Sequence, residues 1–201
     1  LHDCGKVTTP VHVVDKATKL QTLFDRIDLV DTRFEVLKRD QEIAALRAQL
    51  ELRDQKDATA EAQLWVQCRE AITVLEGDRD FLRVVNRGAE SLKDADLQRV
   101  RDIGQTYIWR NVSGLQSELL SPDEVENLTI RAGTLTAGER NIINHHIVAT
   151  IKMLEQLPWP KHLKNVPEYA GGHHERMDGK GYPKGLTRDQ MSVQARVMGI
   201  A

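Results

Sequence analysis

The sequence has few aromatic residues and few cysteines, almost no net charge and no long apolar run. Cys4 and Cys68 are the only two cysteines, too few for a disulfide framework, so a reducing, cytoplasmic setting is expected. No apolar stretch reaches the ~18 residues that a membrane span needs, and no signal peptide is visible. Net charge is -2 with 29% charged residues. That excludes the broad basic face with which proteins grip a DNA or RNA duplex. Aromatics make up 4%, in a chain otherwise rich in Glu, Lys, Arg, Leu and Ala, which favours helices. The chain opens on Leu1 rather than Met and stops inside an apolar run, so we expect a piece of a longer protein.

Three parts are visible. Residues 1–20 carry His2, Asp3, Gly5, Lys6 and Pro10. Residues 21–120 are long, charged and helical in texture. Leu20, Phe24, Ile27, Phe34 and Leu37 recur at three- and four-residue steps, and Ile43, Leu46 and Leu50 extend the stripe. The pattern fades at Asp54 to Thr59. A second helix is expected from Thr59 to about Leu82 through Leu64, Trp65, Cys68, Ile72 and Leu75, with Gly77 and Gly88 as candidate breaks. A third is expected over Ala95 to Trp109. The stripe is narrow, as in a helical hairpin or coiled coil that could dimerise or relay a signal; a solvated helical appendage is the plainer alternative.

Residues 121–201 hold most of the Gly, Pro and His. Ser121 followed by Pro122, Asp123 and Glu124 is a helix start, and Thr136 with Glu139 is a capping box. The helix behind it is expected to run to about Gln156, with Ile143, Ile147, Thr150, Leu154 and Leu157 as its buried face. A short helix interrupted by Pro167 is expected over Lys161 to Glu168. Gly179, Gly181, Pro183 and Gly185 make a tight loop of Met177 to Leu186. Ser192 caps a last helix reaching Ala201. No strand is expected, so the fold class is all-α.

The chemistry lies in the seven histidines. His145-His146 and His173-His174 are adjacent pairs, and His2 precedes Asp3. Neutral imidazoles and carboxylates are what Fe, Mn, Zn or Ni take as ligands. An Asp beside a His can bridge to a second ion. Two ions ~3.5–4 Å apart can hold a hydroxide between them and clamp a phosphate, with the pKa of bound water lowered towards about 7. Such a site suits phosphodiester hydrolysis.

His173-His174-Glu175 followed by Asp178-Gly179-Lys180-Gly181-Tyr182-Pro183 resembles the signature of HD-GYP domains, a branch of the HD phosphohydrolase superfamily. Leu1-His2-Asp3-Cys4-Gly5-Lys6, with Pro10 beyond it, is similar to the HD motif of that family. Glu139 with His146 resembles the helix that supplies the next ligand. The resemblance covers 1–20 and 121–201 and leaves 21–120 as an insertion. It implies an HD-type helical bundle with two divalent ions, Fe or Mn first and Zn or Ni as alternatives. It implies His2 on one metal, Asp3 bridging both, and His146, His173 and His174 on the second. Lys6 would face the substrate phosphate, and Gly181, Tyr182 and Pro183 would shape the substrate loop. The substrate implied is cyclic di-GMP, opened to linear pGpG and then GMP in bacterial signal transduction, with a sensory or receiver domain attached. Three departures from the family pattern stand out. No ligand-bearing helix precedes the HD motif, and no aspartate ligand follows Ala195 to Ala201. Val11, with His12 one step late, occupies the place of a third-metal histidine, which favours a dinuclear site.

Other readings compete residue by residue. His145, His12 and His162 are expected outside the metal set. Glu175 either orients a ligand histidine or makes a surface ion pair, Lys6 could simply pair with an acid, and Cys4 is expected to be buried packing. For the whole chain, the alternative to a hydrolase is a non-catalytic signalling module that binds nucleotide or a partner protein through the helical arm. A third reading keeps the enzyme and changes the substrate to another cyclic dinucleotide or a phosphomonoester.

Overall fold

The structure, a computed structural model, describes residues 1–52, 58–88 and 90–200. It is mostly helical and falls into two compact units, one made of residues 1–15 with 135–201 and the other of 16–134. The first unit begins with a short 3-10 turn, Cys4–Thr8, followed by the one-turn helix α1 (Val11–Val14).

The second unit is built on α2 (Ile27–Leu52) and α3 (Ala58–Asn86). Their ion pairs show that they run antiparallel. Asp31–Arg83, Glu35–Arg79 and Lys38–Glu76 lie 3.4, 3.7 and 2.8 Å apart, climbing one helix while descending the other. Ile27, Val30, Phe34 and Leu37 of α2 form the buried stripe and meet Leu75, Leu82 and Val85 of α3. The expected helical start at Leu20 is corrected. Leu20 is buried, but α2 begins only after Asp25, whose carboxylate accepts the Ile27 N–H at 3.0 Å. Phe24 is exposed. Gly77 lies inside α3 and breaks nothing, whereas Gly88, at φ 79, follows the end of the helix. The polar break expected at 54–59 falls largely outside the described residues.

Helix α4 (Asp94–Thr106) ends three residues earlier than expected. Tyr107 turns extended, and β1 (Ile108–Arg110) pairs antiparallel with β2 (Gln116–Glu118), Trp109 opposite Ser117. This small hairpin corrects the expectation of no strand. Its cause is local: the Asn111 side chain accepts the N–H groups of Ser113 and Leu115 at 3.0 and 3.1 Å and turns the chain back.

Helix α5 (Pro122–Leu128) carries the expected capping box, with the Glu124 N–H on Ser121 and the Glu124 carboxylate on the Ser121 N–H. It packs in the second unit rather than with the later helices. Glu124 is 2% exposed and takes both guanidinium nitrogens of Arg33 at 2.7 and 3.1 Å. Burial alone would raise this carboxyl. Arg33 and the Ser121 N–H outweigh that and hold it below the usual carboxylate value. Lys19 is fully buried, its ammonium on the Leu128 and Ile130 carbonyls at 3.0 and 2.8 Å. The ends of the unit meet where Thr134 Oγ1 donates to the Lys16 carbonyl at 3.0 Å.

The first unit resumes with α6 (Ala137–Asn144), started by the Thr136–Glu139 capping box, and α7 (His146–Glu155). The single helix expected to Gln156 is therefore interrupted at His145, and Leu157, expected on its buried face, lies past the helix end and is exposed. Next come a 3-10 turn at Lys161–Leu163 and α8 (Val166–Gly171). Pro167 sits in the first turn of α8, where its missing N–H costs nothing, so it opens the helix instead of interrupting it. The last helix, α9 (Val193–Met198), is capped by the Ser192 hydroxyl on the Ala195 N–H; Ala201 lies outside the described residues. Val13 of α1, Ile147 and Leu154 of α7, Ala170 of α8, Met191 and Ala195 are the first unit's buried apolar residues. Among the described residues, no helix is long and apolar enough to cross a membrane.

Candidate metal centre

The first unit brings Asp3, His146, His173 and His174 together, with one ligand-type atom from each lying within 4.8 Å of the others. Asp3 stands just before the Cys4–Thr8 turn. That turn lies flat against α7: a β-carbon on Gly5 would collide with the His146 carbonyl oxygen, so only glycine fits there. His146 opens α7, while His173 and His174 follow the end of α8. Of the first adjacent pair, His146 points into the cluster and His145 is exposed. His12 and His162 are exposed.

Two histidines have their tautomer set by their own backbone. His146 Nδ1 donates to the Ile143 carbonyl at 2.5 Å, and His173 Nδ1 donates to the Ala170 carbonyl at 2.6 Å. The Nε2 atoms are left with lone pairs facing the cluster. His173 Nε2 is buried with no hydrogen-bond partner. His174 Nε2 lies 3.3 Å from His146 Nε2. Burial, followed by the charges of His173 and His146, pushes the His174 pKa down to about 4. Burial also lowers that of His173. Both rings are therefore neutral near pH 7, the form that binds a metal.

The Asp3 carboxylate divides between two groups of partners. Its Oδ1 is 3.3 Å from His146 Nε2 and 3.6 Å from His173 Nε2. Its Oδ2 is 3.4 Å from His2 Nε2 and 2.8 Å from Lys6 Nζ. Lys6 therefore makes the ion pair with an acid that was the alternative to a free substrate-facing cation. Burial would raise the Asp3 pKa, but Lys6, His2 and His146 together lower it. His2 is exposed and borders the group, its ring 4.9 Å from that of His173. Cys4 is half-buried rather than buried.

The glycine-rich loop folds back over His174. The Tyr182 ring stacks on the His174 imidazole with centroids 4.7 Å apart, and the Tyr182 N–H donates to the His174 carbonyl at 3.1 Å. Gly181 lies so close to the Glu175 and Arg176 backbone that any side chain would overlap it. The Tyr182–Pro183 peptide is cis. Glu175 has neither expected role. It is buried, and its two carboxylate oxygens accept the N–H groups of Lys184 and Leu186, each at 2.7 Å. It fastens the loop and does not touch a histidine ring. No motif announces this; an acid placed before a Gly-rich loop, free to bond its amides, was the available signal. Thr150 was also missed as more than packing, although a hydroxyl on an otherwise apolar helix stripe was a visible sign.

A half-buried aspartate–imidazole cluster, with the His173 and His174 rings neutral and the His173 Nε2 orphaned, is a donor set that suits a divalent transition metal. Residues 110–201 match the HD domain family. Among curated proteins, the chain is 50% identical over 90 residues to a 3'3'-cGAMP-specific phosphodiesterase 1 of Vibrio cholerae, covering 45% of this chain and 20% of that protein. It is 32% identical over 71 residues to a 3'3'-cGAMP-specific phosphodiesterase 3 of the same organism, 35% of this chain and 15% of that protein. It is 30% identical over 76 residues to a cyclic di-GMP phosphodiesterase of Thermotoga maritima, 38% of this chain and 20% of that protein. The chain thus spans a fifth or less of the length of these relatives. No solved structure matches. These matches bear out the resemblance to the HD-GYP branch.

Proposed function

We propose that this chain is part of a phosphodiesterase that hydrolyses cyclic di-GMP to pGpG and GMP at a dinuclear metal site. The observation that carries the reading is the divided Asp3 carboxylate. One oxygen faces His146 and His173 and the other faces Lys6 and His2, so that this one side chain would contribute to both ions. His146, His173 and His174 would hold one ion, and His2 with Asp3 the other; Fe or Mn suits this mixed donor set, with Zn and Ni as alternatives. When bound, the ions supply a nucleophilic water at neutral pH and neutralise charge on the phosphate oxygens. Lys6, held by Asp3 at 2.8 Å, adds a cation beside the phosphate. Tyr182, stacked on His174, would shape the substrate loop together with Pro183, and Gly181 lets that loop lie close to the Glu175 backbone.

The experiment is metal analysis together with nucleotide turnover, followed by product chromatography. Two ions per chain with pGpG or GMP as product supports the proposal. Metal or nucleotide binding without product favours the signalling-module reading. His173→Ala and Asp3→Ala should each remove most of the metal, and unchanged stoichiometry in both sinks the ligand assignment. A second substrate, 3'3'-cGAMP, is favoured by the names of two matched relatives; parallel turnover of both nucleotides separates them.

The partners belong to the same proposal. The protein acts in the cytoplasm, coupled to a sensory or receiver domain. The hairpin of α2 and α3 dimerises through the apolar face on which Ile43, Leu46 and Leu50 are 43%, 49% and 64% exposed. Light scattering of a chain with Leu46 and Leu50 changed to Gln should report a monomer if this contact makes the dimer.

A further inference from the structure

A hydroxyl in an apolar helix stripe is costly unless it finds a hydrogen-bond partner. Thr150 is fully buried on α7 between Ile147 and Leu154, also buried, one helical turn beyond His146. Its Oγ1 accepts the buried N–H of Gly5 at 2.8 Å. Gly5 belongs to the Cys4–Thr8 turn that Asp3 begins. The neighbouring main-chain bonds, from the N–H of Cys4, Lys6 and Thr9 to the carbonyls of Leu1, Asp3 and Lys6, all close within the segment itself. They shape the turn but do not attach it to α7. The Gly5–Thr150 bond attaches it, at the one place where the missing side chain lets the two backbones touch.

The geometry points to Thr150 as a positioning residue of the metal centre: its hydroxyl latches the Asp3 turn onto the helix that carries His146 and so sets the separation of these two groups. The inference rests on the proposed metal site. Asp3 Oδ1 and His146 Nε2 lie 3.3 Å apart, although they are far apart in the sequence. Side-chain attraction alone would leave Asp3 free to swing on its turn. Thr150 removes that freedom before any ion arrives, which is what a tight site requires of the groups behind its ligands. Val at 150 keeps the shape and loses the acceptor. Ser keeps the acceptor and loses a methyl group.

The test is Mn(II) titration by calorimetry on Thr150→Val and Thr150→Ser, with folding followed by circular dichroism. Amide exchange of Gly5 is read by NMR. Thr150→Val should raise the Mn(II) dissociation constant about 10-fold or more and speed Gly5 exchange, while Thr150→Ser restores both. Wild-type Mn(II) affinity in a folded Thr150→Val protein overturns the inference. The wild-type chain provides a second test that needs no variant: Mn(II) loading should slow Gly5 exchange, because a latch that favours the ion is favoured by it in return. Unchanged Gly5 exchange on loading also overturns it. An Asp3→Ala protein that binds Mn(II) like wild type overturns the metal-site reading itself, and this inference with it.

Discussion

The imidazole of His174 and the phenol ring of Tyr182 lie nearly parallel, 15° apart in plane and 4.7 Å between centroids. The loop signature and the metal group are thus one packed object. The stack shields one face of His174, and burial together with the Asp3 charge raises the Tyr182 pKa, so the ring stays neutral. Tyr182→Ala should weaken metal binding about 10-fold by freeing the imidazole, and Tyr182→Phe should leave it unchanged. Metal titration of the two variants decides the matter. Equal losses in both would assign the effect to the hydroxyl instead.

Glu175 should prove to be a residue of loop order. Replacing it with Ala removes the buried carboxylate that accepts the part-buried N–H groups of Lys184 and Leu186, at a cost of about 1–3 kcal/mol. The Glu175→Ala melting temperature should fall, and activity should fall with it through KM as the Tyr182 loop loosens. Metal content should hold, because no carboxylate oxygen of Glu175 bonds a histidine. Metal loss at full occupancy of the fold would contradict this.

Lys19 gives a pH dependence. Burial lowers its pKa from 10.5 to about 8. Between those values the unfolded chain binds the proton and the folded chain does not, so stability rises with pH across that window, by up to about 3 kcal/mol. Denaturant midpoints of the wild type should therefore increase from pH 8 to pH 10 relative to Lys19→Met, which lacks the titrating group. Parallel curves for the two proteins would show that the ammonium keeps its ordinary pKa.

Because the Thr134 hydroxyl reaches the Lys16 carbonyl, residues 16–134 leave and return at neighbouring points. A short glycine-serine linker in their place should bridge the gap. The remaining unit should bind as much metal as the full chain. A product that no longer folds would make residues 16–134 part of the catalytic core rather than an insertion.

Local signals were the legible ones. The capping boxes at Ser121 and Thr136 and the Ser192 cap each start a helix where the sequence places them, because the cap bonds close within four residues. The His and Asp residues that meet in the cluster were legible through the resemblance of their motifs. What depended on distant partners was not. The interruption at His145 coincides with the Gly5 turn laid across α7. Phe24 fits the helical stripe yet is exposed, since the chain is still a turn at that point. Lys19 carries no sequence mark of burial; its acceptors are carbonyls more than a hundred residues away. The hairpin at 108–118 did have a local signal in Asn111-Val112-Ser113-Gly114, overshadowed by the apolar spacing before it.

The bonds from His146 to Ile143 and from His173 to Ala170 use main-chain carbonyls three residues back as acceptors. An acceptor of this kind belongs to every amino acid alike. Substitutions at 143 or 170 can change the packing but cannot delete the oxygen that holds each proton on Nδ1. The protonation pattern of the centre is therefore sheltered from drift in the surrounding side chains. Sequences can diverge widely around these two histidines while the lone pairs they present stay the same.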